Sequence, residues 1–339
     1  MISKPIVSTF LFSVVVALAA CGGSDATTDA VCTGHACGGA AVSDPEGGNI
    51  ILEHITFDTE LAAAFHLPAG ELTATRVIAY FMSAQTPPSN PLPSPGVCNN
   101  LAVTKGWPLN VGTPHTDVDV GTLTISGKNA AGTDVSFDVP KQNAGTDQIG
   151  RPHDIFYQLV TPNASALLKP DSYYDVKFGG SATVPATTLK DAIYLAADYP
   201  SVQNPGMEDN GPLVAGTTTS FPVSWTPDPG HYANKPPAAE LVAGDILGIT
   251  WLLDVTGSPT HMCVVPATTG GFTIPGTAIA EYKTAAAARG QPTNKMIILR
   301  NGVAHRVVRL PLSGAANASN NRRIDMLSLE CWAQLMDVQ

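Results

Sequence analysis

The chain has 339 residues, of which 14% are charged, and 18 Lys and Arg against 28 Asp and Glu give a net charge of −10 at pH 7. This acidic balance excludes a nucleic-acid-binding protein, whose affinity depends on clustered cations. The low charge, with 31 Gly and 28 Pro, is typical of an exported β-rich protein rather than a cytosolic helical one.

The N-terminus has the pattern of a secretory signal. Lys4 gives a short positive region, and residues 6–20 form an apolar run. The run is too short and too often interrupted to span a bilayer as a stable helix, but it suits the apolar region of a signal peptide. No later segment reaches spanning length, so we expect no transmembrane helix after residue 20.

The end of this run, Leu18-Ala19-Ala20-Cys21, resembles the lipobox of bacterial lipoproteins. The resemblance implies cleavage between Ala20 and Cys21 and acylation of Cys21, which would then anchor the protein to a membrane. Gly22 stands where an aspartate would favour retention in the inner membrane, so the outer membrane is the implied location, with the protein facing the periplasm or the exterior.

Residues 21–48 predict a flexible tether, because they hold almost no apolar side chains. Within it, Cys32 and Cys37 are predicted to form a disulfide. A metal site that includes His35 is the alternative, but three ligands without a fourth make a poor structural zinc site. We therefore expect no bound metal and no cofactor.

The other cysteines present a pairing problem. Five of the six cysteines remain when Cys21 is set aside, so they cannot all form disulfides with one another. Cys263 and Cys331 lie in two apolar segments and are predicted to form a disulfide between neighbouring strands. Cys98, in a Pro-rich loop, is left over, and the spacing does not decide whether it is free or displaces one of these pairings.

The rest of the chain is predicted to be all-β. Residues 123–125 and 134–139 alternate polar and apolar side chains on either side of a turn-rich stretch, which predicts an antiparallel hairpin. Gly121 marks a β-bulge after an alternating segment at 117–120. The other predicted strands are 50–57, 72–81, 154–160, 173–178, 246–253, 296–300 and 303–310.

One helix is predicted, over residues 277–289. Thr277 is a candidate for its N-cap, and Gly290 for its C-terminal end.

Two immunoglobulin-like β-sandwich domains are predicted after the tether, over residues 49–205 and 206–339. Residues 180–191 align with residues 270–281, which suggests related units with equivalent strand-to-loop transitions. The stretch Phe221–Gly230 is similar to an early strand of fibronectin type III modules, and this similarity implies a core role for Trp225.

Common catalytic motifs do not occur in the chain. The chain has no Gly-x-Ser-x-Gly elbow, His-Glu-x-x-His motif or phosphate-binding Gly loop. His153-Asp154 and His261-Met262-Cys263 are groups of potentially active side chains. Adjacent residues of a strand point to opposite faces, however, so neither group is expected to form a site. We predict no catalytic residues.

Four aspartates form the most suggestive polar set: Asp117, Asp119, Asp134 and Asp138. Residues two apart on paired strands share a face, and their oxygens suit Ca²⁺. A solvated hairpin face gives the same alternation and is the preferred interpretation. The loop Glu208–Gly211 is open to the same two interpretations.

Two classes of function fit these observations. The preferred one is a non-enzymatic envelope lipoprotein that serves binding, adhesion or assembly, with the membrane, other envelope proteins or glycans as partners. The alternative is an exported hydrolase or a carbohydrate-binding accessory protein.

Overall fold

A computed structural model describes most of the chain beyond the predicted tether. It covers residues 46–85, 97–100, 116–146, 152–182, 184–195, 202–204, 220–225, 236, 247–256, 258–266, 269–310 and 322–338. The predicted signal peptide with Ala20 and Cys21, the predicted Cys32–Cys37 disulfide and the loop Glu208–Gly211 lie outside these residues. Within them, no helix has the length and apolarity needed to cross a bilayer.

The fold is all-β, as the sequence predicts. In chain order the strands are β1 (Glu46–Phe57), β2 (Thr73–Gln85), β3 (Val97–Asn100), β4 (Leu123–Lys128), β5 (Asp134–Val139), β6 (Lys141–Thr146), β7 (Pro152–Pro162), β8 (Ser172–Phe178), β9 (Thr187–Leu195), β10 (Val202–Asn204), β11 (Phe221–Trp225), β12 (Leu247–Leu253), β13 (Pro259–Pro266), β14 (Gly271–Ile274), β15 (Lys295–Leu310) and β16 (Arg322–Asp337). Strand β1 begins inside the last residues of the predicted tether.

These strands form three sheets. The largest has nine strands in the order β3-β13-β12-β15-β16-β1-β2-β7-β6. Its central neighbours β1 and β16 are parallel, and the other neighbouring pairs are antiparallel. A four-stranded sheet has the order β5-β4-β8-β9, and a three-stranded sheet has the order β10-β11-β14.

Both faces of the nine-stranded sheet are buried at its centre. In β1, Ile50 and Leu52 belong to one apolar cluster, and Ile51 and Ile55 belong to another on the opposite face. Successive side chains of a strand alternate between faces. This burial on both sides explains the three consecutive apolar residues Ile50, Ile51 and Leu52.

The smaller sheets pack on one face of the nine-stranded sheet, as layers of a sandwich. The four-stranded sheet shares a core with it that includes Ile50, Leu123, Val176 and Ile324. Next to this core, Val223 and Ile274 of the three-stranded sheet and Ile279 of a helix pack with Ile298 of β15.

The predicted helix is present as α2 (Gly276–Ala288). Its N-cap is Pro275 and not Thr277, which lies inside the first turn. Gly290 has a φ of +70° and its amide donates to the Ala287 carbonyl, so a glycine ends the helix as predicted. A short helix, α1 (Thr59–Ala64), was not predicted; the Asp58 carboxylate caps it by accepting from the Leu61 amide at 2.7 Å.

The proposed internal repeat is wrong at the level of structure. Residues 187–191 belong to strand β9, whereas the aligned residues 277–281 belong to helix α2. The two segments share turn-forming residues before these elements but do not make equivalent strand-to-loop transitions.

The predicted domain division, between residues 205 and 206, does not separate the strands of the main sheet. Strands β1, β2, β3, β6 and β7 come from one side of the division, and β12, β13, β15 and β16 come from the other. The sheet is also wider than the three- or four-stranded sheets of an immunoglobulin-like domain. The division into two domains stays a prediction.

The predicted Cys263–Cys331 disulfide is wrong. Cys263 is bonded to Cys98, its register partner across β13 and β3, and Cys331 is a buried free thiol. Strands β13 and β16 are three strand spacings apart, which places them about 14 Å from each other. The two cysteines also lie in apolar clusters on opposite faces of the sheet.

Candidate binding cleft

A solvent-open cleft lies along the four-stranded sheet, where the β4–β5 hairpin faces the start of β8 and the bulged part of β9. Its volume is about 550 Å³. The β4–β5 hairpin, the segment 169–175 and one residue of β9 line it: Ser126, Gly127, Lys128, Asp134, Val135, Lys169, Asp171, Ser172, Tyr173, Asp175 and Asp191.

The hairpin forms one wall. Its turn is closed by Asn129, whose side-chain oxygen accepts from the Thr133 amide at 3.0 Å, and by Gly132, which has a φ of +78°. Lys128 and Asp134 are register partners next to this turn, and their charged groups are 2.7 Å apart.

Tyr174 joins this wall to the segment before β8. Its buried ring lies under Gly127, where an added Cβ would be 2.5 Å from the Tyr174 Cδ1 atom. Its hydroxyl donates to the Lys128 carbonyl at 2.8 Å and accepts from the Lys169 amide at 2.6 Å. Burial raises the pKa of Tyr174, so the hydroxyl stays protonated and able to donate.

A bulge forms the opposite wall. The register of β8 with β9 shifts between Tyr174 and Val176, and at this point the Asp175 carboxylate accepts from the Asp191 amide at 2.9 Å. Asp191 has a φ of +50°, a left-handed conformation that Asp and Asn tolerate better than most residues. The second oxygen of Asp175 pairs with Lys190, and this hydrogen bond raises the pKa of the lysine.

The main sheet supports this wall from below. Arg306 of β15 is almost completely buried, and its guanidinium donates to the carbonyls of Asp191 and Ala192. The same guanidinium lies 5.7 Å from the centre of the Tyr173 ring. Tyr194 packs against Tyr173 and donates to the Asp171 carboxylate at 2.6 Å.

The four aspartates of the predicted polar set do not meet on one face. Asp134 lines the cleft, and the Asp138 carboxylate accepts from the Thr124 hydroxyl at 2.7 Å. Asp119 accepts from Lys141 and Tyr157, and the hydrogen bond with Lys141 is the main reason why its pKa is lowered.

Asp117 instead binds the predicted His153-Asp154 pair. One of its oxygens is 2.6 Å from Nδ1 of the buried His153, and the other accepts from the Asp154 amide. The Asp154 side chain is exposed, as expected for adjacent strand residues on opposite faces. The alternating segment 117–120 makes only a single bridge, between Asp117 and Met82, and is not part of a strand.

His261 and Met262 also point to opposite faces of their strand. His261 lies 3.1 Å from Glu281 of α2 through Nε2, and Met262 belongs to the apolar cluster on the other face. Burial lowers the pKa of His261, although Glu281 opposes this effect. Cys263 is in the disulfide, and Trp225 has its side chain outside the described part.

The described residues contain no group of three or more His, Cys, Asp or Glu side chains that could hold a metal ion. No protein-family model and no curated protein sequence matches the chain.

The residues that line the cleft, apart from Asp134, were not singled out from the sequence. Asp171, Ser172 and Asp175 belong to an ordinary turn and strand start, and Asp191 belongs to the segment interpreted as a repeat. The only local signal is the turn chemistry of Pro170-Asp171-Ser172.

Proposed function

We propose that the protein is a lipid-anchored envelope protein that binds a ligand in the cleft on its four-stranded sheet. The observation that carries the proposal is the cleft itself, which is open to solvent and is lined by carboxylate, ammonium and hydroxyl groups. Small-molecule sites are usually concave, and the polar groups in them fix the orientation of the ligand.

The anchor half of the proposal is supported by the sequence alone. Leu18-Ala19-Ala20-Cys21 follows an apolar run in the order that lipoprotein signals have. We expect labelled fatty acid to enter the wild-type protein but not the Cys21→Ser variant. Equal labelling of the two proteins would refute the anchor.

The binding half is tested by filling the cleft. Ser126 lies on β4 with Ser136 and Asp175 as register partners, so a large side chain at position 126 would occupy the space between the walls. We expect Ser126→Trp to lose the ligand that co-purifies with the wild type from intact envelopes, as detected by mass spectrometry.

Thr124→Trp is the matched control. Thr124 is two residues away on the same face of β4 and does not line the cleft. We expect this variant to keep the co-purifying ligand. Loss from both variants, or from neither, would contradict the assignment of the cleft as the binding site.

A further inference from the structure

The charges of the cleft are paired at most positions. Lys128 pairs with Asp134, and Asp175 pairs with Lys190, which lies just outside the cleft. Asp171 accepts a hydrogen bond from the Tyr194 hydroxyl. These carboxylates therefore have donors before any ligand arrives.

One charged group of each sign is not paired in this way. In the described part of the chain, neither the Asp191 carboxylate nor the Lys169 ammonium has a hydrogen-bond or ion-pair partner; Lys190 acts on Asp191 only through a minor Coulombic interaction. Both residues line the same cleft. A ligand with one ammonium and one carboxylate would supply an ion-pair partner for each residue.

The backbone holds both residues in place. The Asp191 amide donates to Asp175 and its carbonyl accepts from Arg306. The Lys169 amide donates to the Tyr174 hydroxyl, and this hydroxyl donates to the Lys128 carbonyl. Fixing the backbone before binding reduces the entropy lost when the ligand is bound.

We propose that the cleft binds a zwitterionic ligand of the amino-acid or short-peptide class, with Asp191 facing the ammonium group and Lys169 facing the carboxylate. This inference rests on the proposed binding function of the cleft.

The test uses full-length protein in detergent and an equimolar mixture of dipeptides, detected by saturation-transfer NMR. We expect binding of the free dipeptides, and about ten-fold or more weaker binding of both the N-acetylated and the C-amidated mixtures. A neutral disaccharide serves as the competing ligand class and is expected not to bind.

Two variants assign the ends of the ligand. Asp191→Asn removes the charge but keeps a residue that tolerates the left-handed backbone, and it should abolish the preference for a free amino group. Lys169→Gln should abolish the preference for a free carboxylate. Asp154→Asn and Lys177→Gln remove exposed charges outside the cleft and should leave both preferences unchanged.

Equal binding of free and N-acetylated dipeptides, binding of the disaccharide alone, or no binding of any dipeptide would overturn the proposal. These outcomes can be distinguished from failure of the proposed binding function. If the cleft binds no ligand at all, Ser126→Trp and Thr124→Trp would retain the same envelope material as the wild type.

Discussion

Charged side chains occupy two contrasting regions of this protein: the open cleft and the centre of the nine-stranded sheet. In the cleft, Lys128 and Asp134 keep 55% and 87% of their side chains exposed. In the sheet, Glu53 and Arg76 keep only 1% and 3%. Water already solvates the first pair, whereas each partner in the second depends on the other.

The buried pairs also join specific strands. Glu53 and Arg76 are register partners across β1 and β2. The next residue of β1, His54, points to the opposite face and lies 2.7 Å from its register partner Glu330 of β16. The central strand therefore has one polar link to each neighbour, and a one-residue slip in register would break both links. In the cleft, Lys128 and Asp134 are also register partners, but their pair is exposed to solvent.

The largest effect is expected from Arg76→Met, which leaves the Glu53 carboxylate buried without its guanidinium. The free energy of unfolding should fall by about 3–5 kcal/mol, measured by urea denaturation. The double variant Glu53→Leu/Arg76→Met should recover most of this loss. A single variant as stable as the wild type would show that the pair is not buried as described.

At the edge of the nine-stranded sheet, a disulfide and not an ion pair joins two strands, and its contribution to stability can be measured. Cys98→Ala removes the disulfide that joins β3 to β13 and should lower the free energy of unfolding by about 2–4 kcal/mol. Reduced wild-type protein should unfold at the same urea concentration as the variant. A Cys263–Cys331 peptide in a non-reducing digest would contradict the observed pairing.

A smaller, pH-dependent effect is expected at His261. Because burial lowers its pKa below the ordinary value of 6.5, the unfolded chain takes up a proton at this residue before the folded protein does. The free energy of unfolding should therefore fall as the pH decreases from about 6.5 towards the folded pKa. His261→Gln should flatten this part of the pH profile, and an unchanged slope would contradict the lowered pKa.

The smallest effect is expected in the cleft. Lys128→Ala should change the free energy of unfolding by about 1 kcal/mol or less, because its pair with Asp134 is exposed. Added salt should reduce this difference in the free energy of unfolding between the wild type and the variant. A loss as large as that of Arg76→Met would remove the contrast between the two regions.

Local pattern predicts local structure well here. The alternation in β4 and β5 predicts their pairing, and the Gly290 stop predicts the end of α2. Both depend on residues close together in sequence. The 117–120 segment has the same alternation, but Asp117 and Asp119 instead bind groups on β6 and β7.

Local sequence pattern does not predict the long-range features of the fold. Nothing local specifies the parallel pairing of β1 with β16, which brings Glu46 beside Arg323. The wrong cysteine pairing has the same origin, because strand order decides which cysteines are neighbours. The cleft needs the β4–β5 hairpin to meet the segment 169–175 and Asp191, and its Lys169 and Asp191 have no distinctive sequence context.

Hydrogen–deuterium exchange of the full-length protein, with and without native envelope extract, tests most directly whether the cleft is the binding site. We expect slower exchange in the segments that carry its walls, residues 123–139 and 169–178, and no change in residues 295–310 of the main sheet. Unchanged exchange in both wall segments, or protection confined to other parts of the chain, would contradict this account.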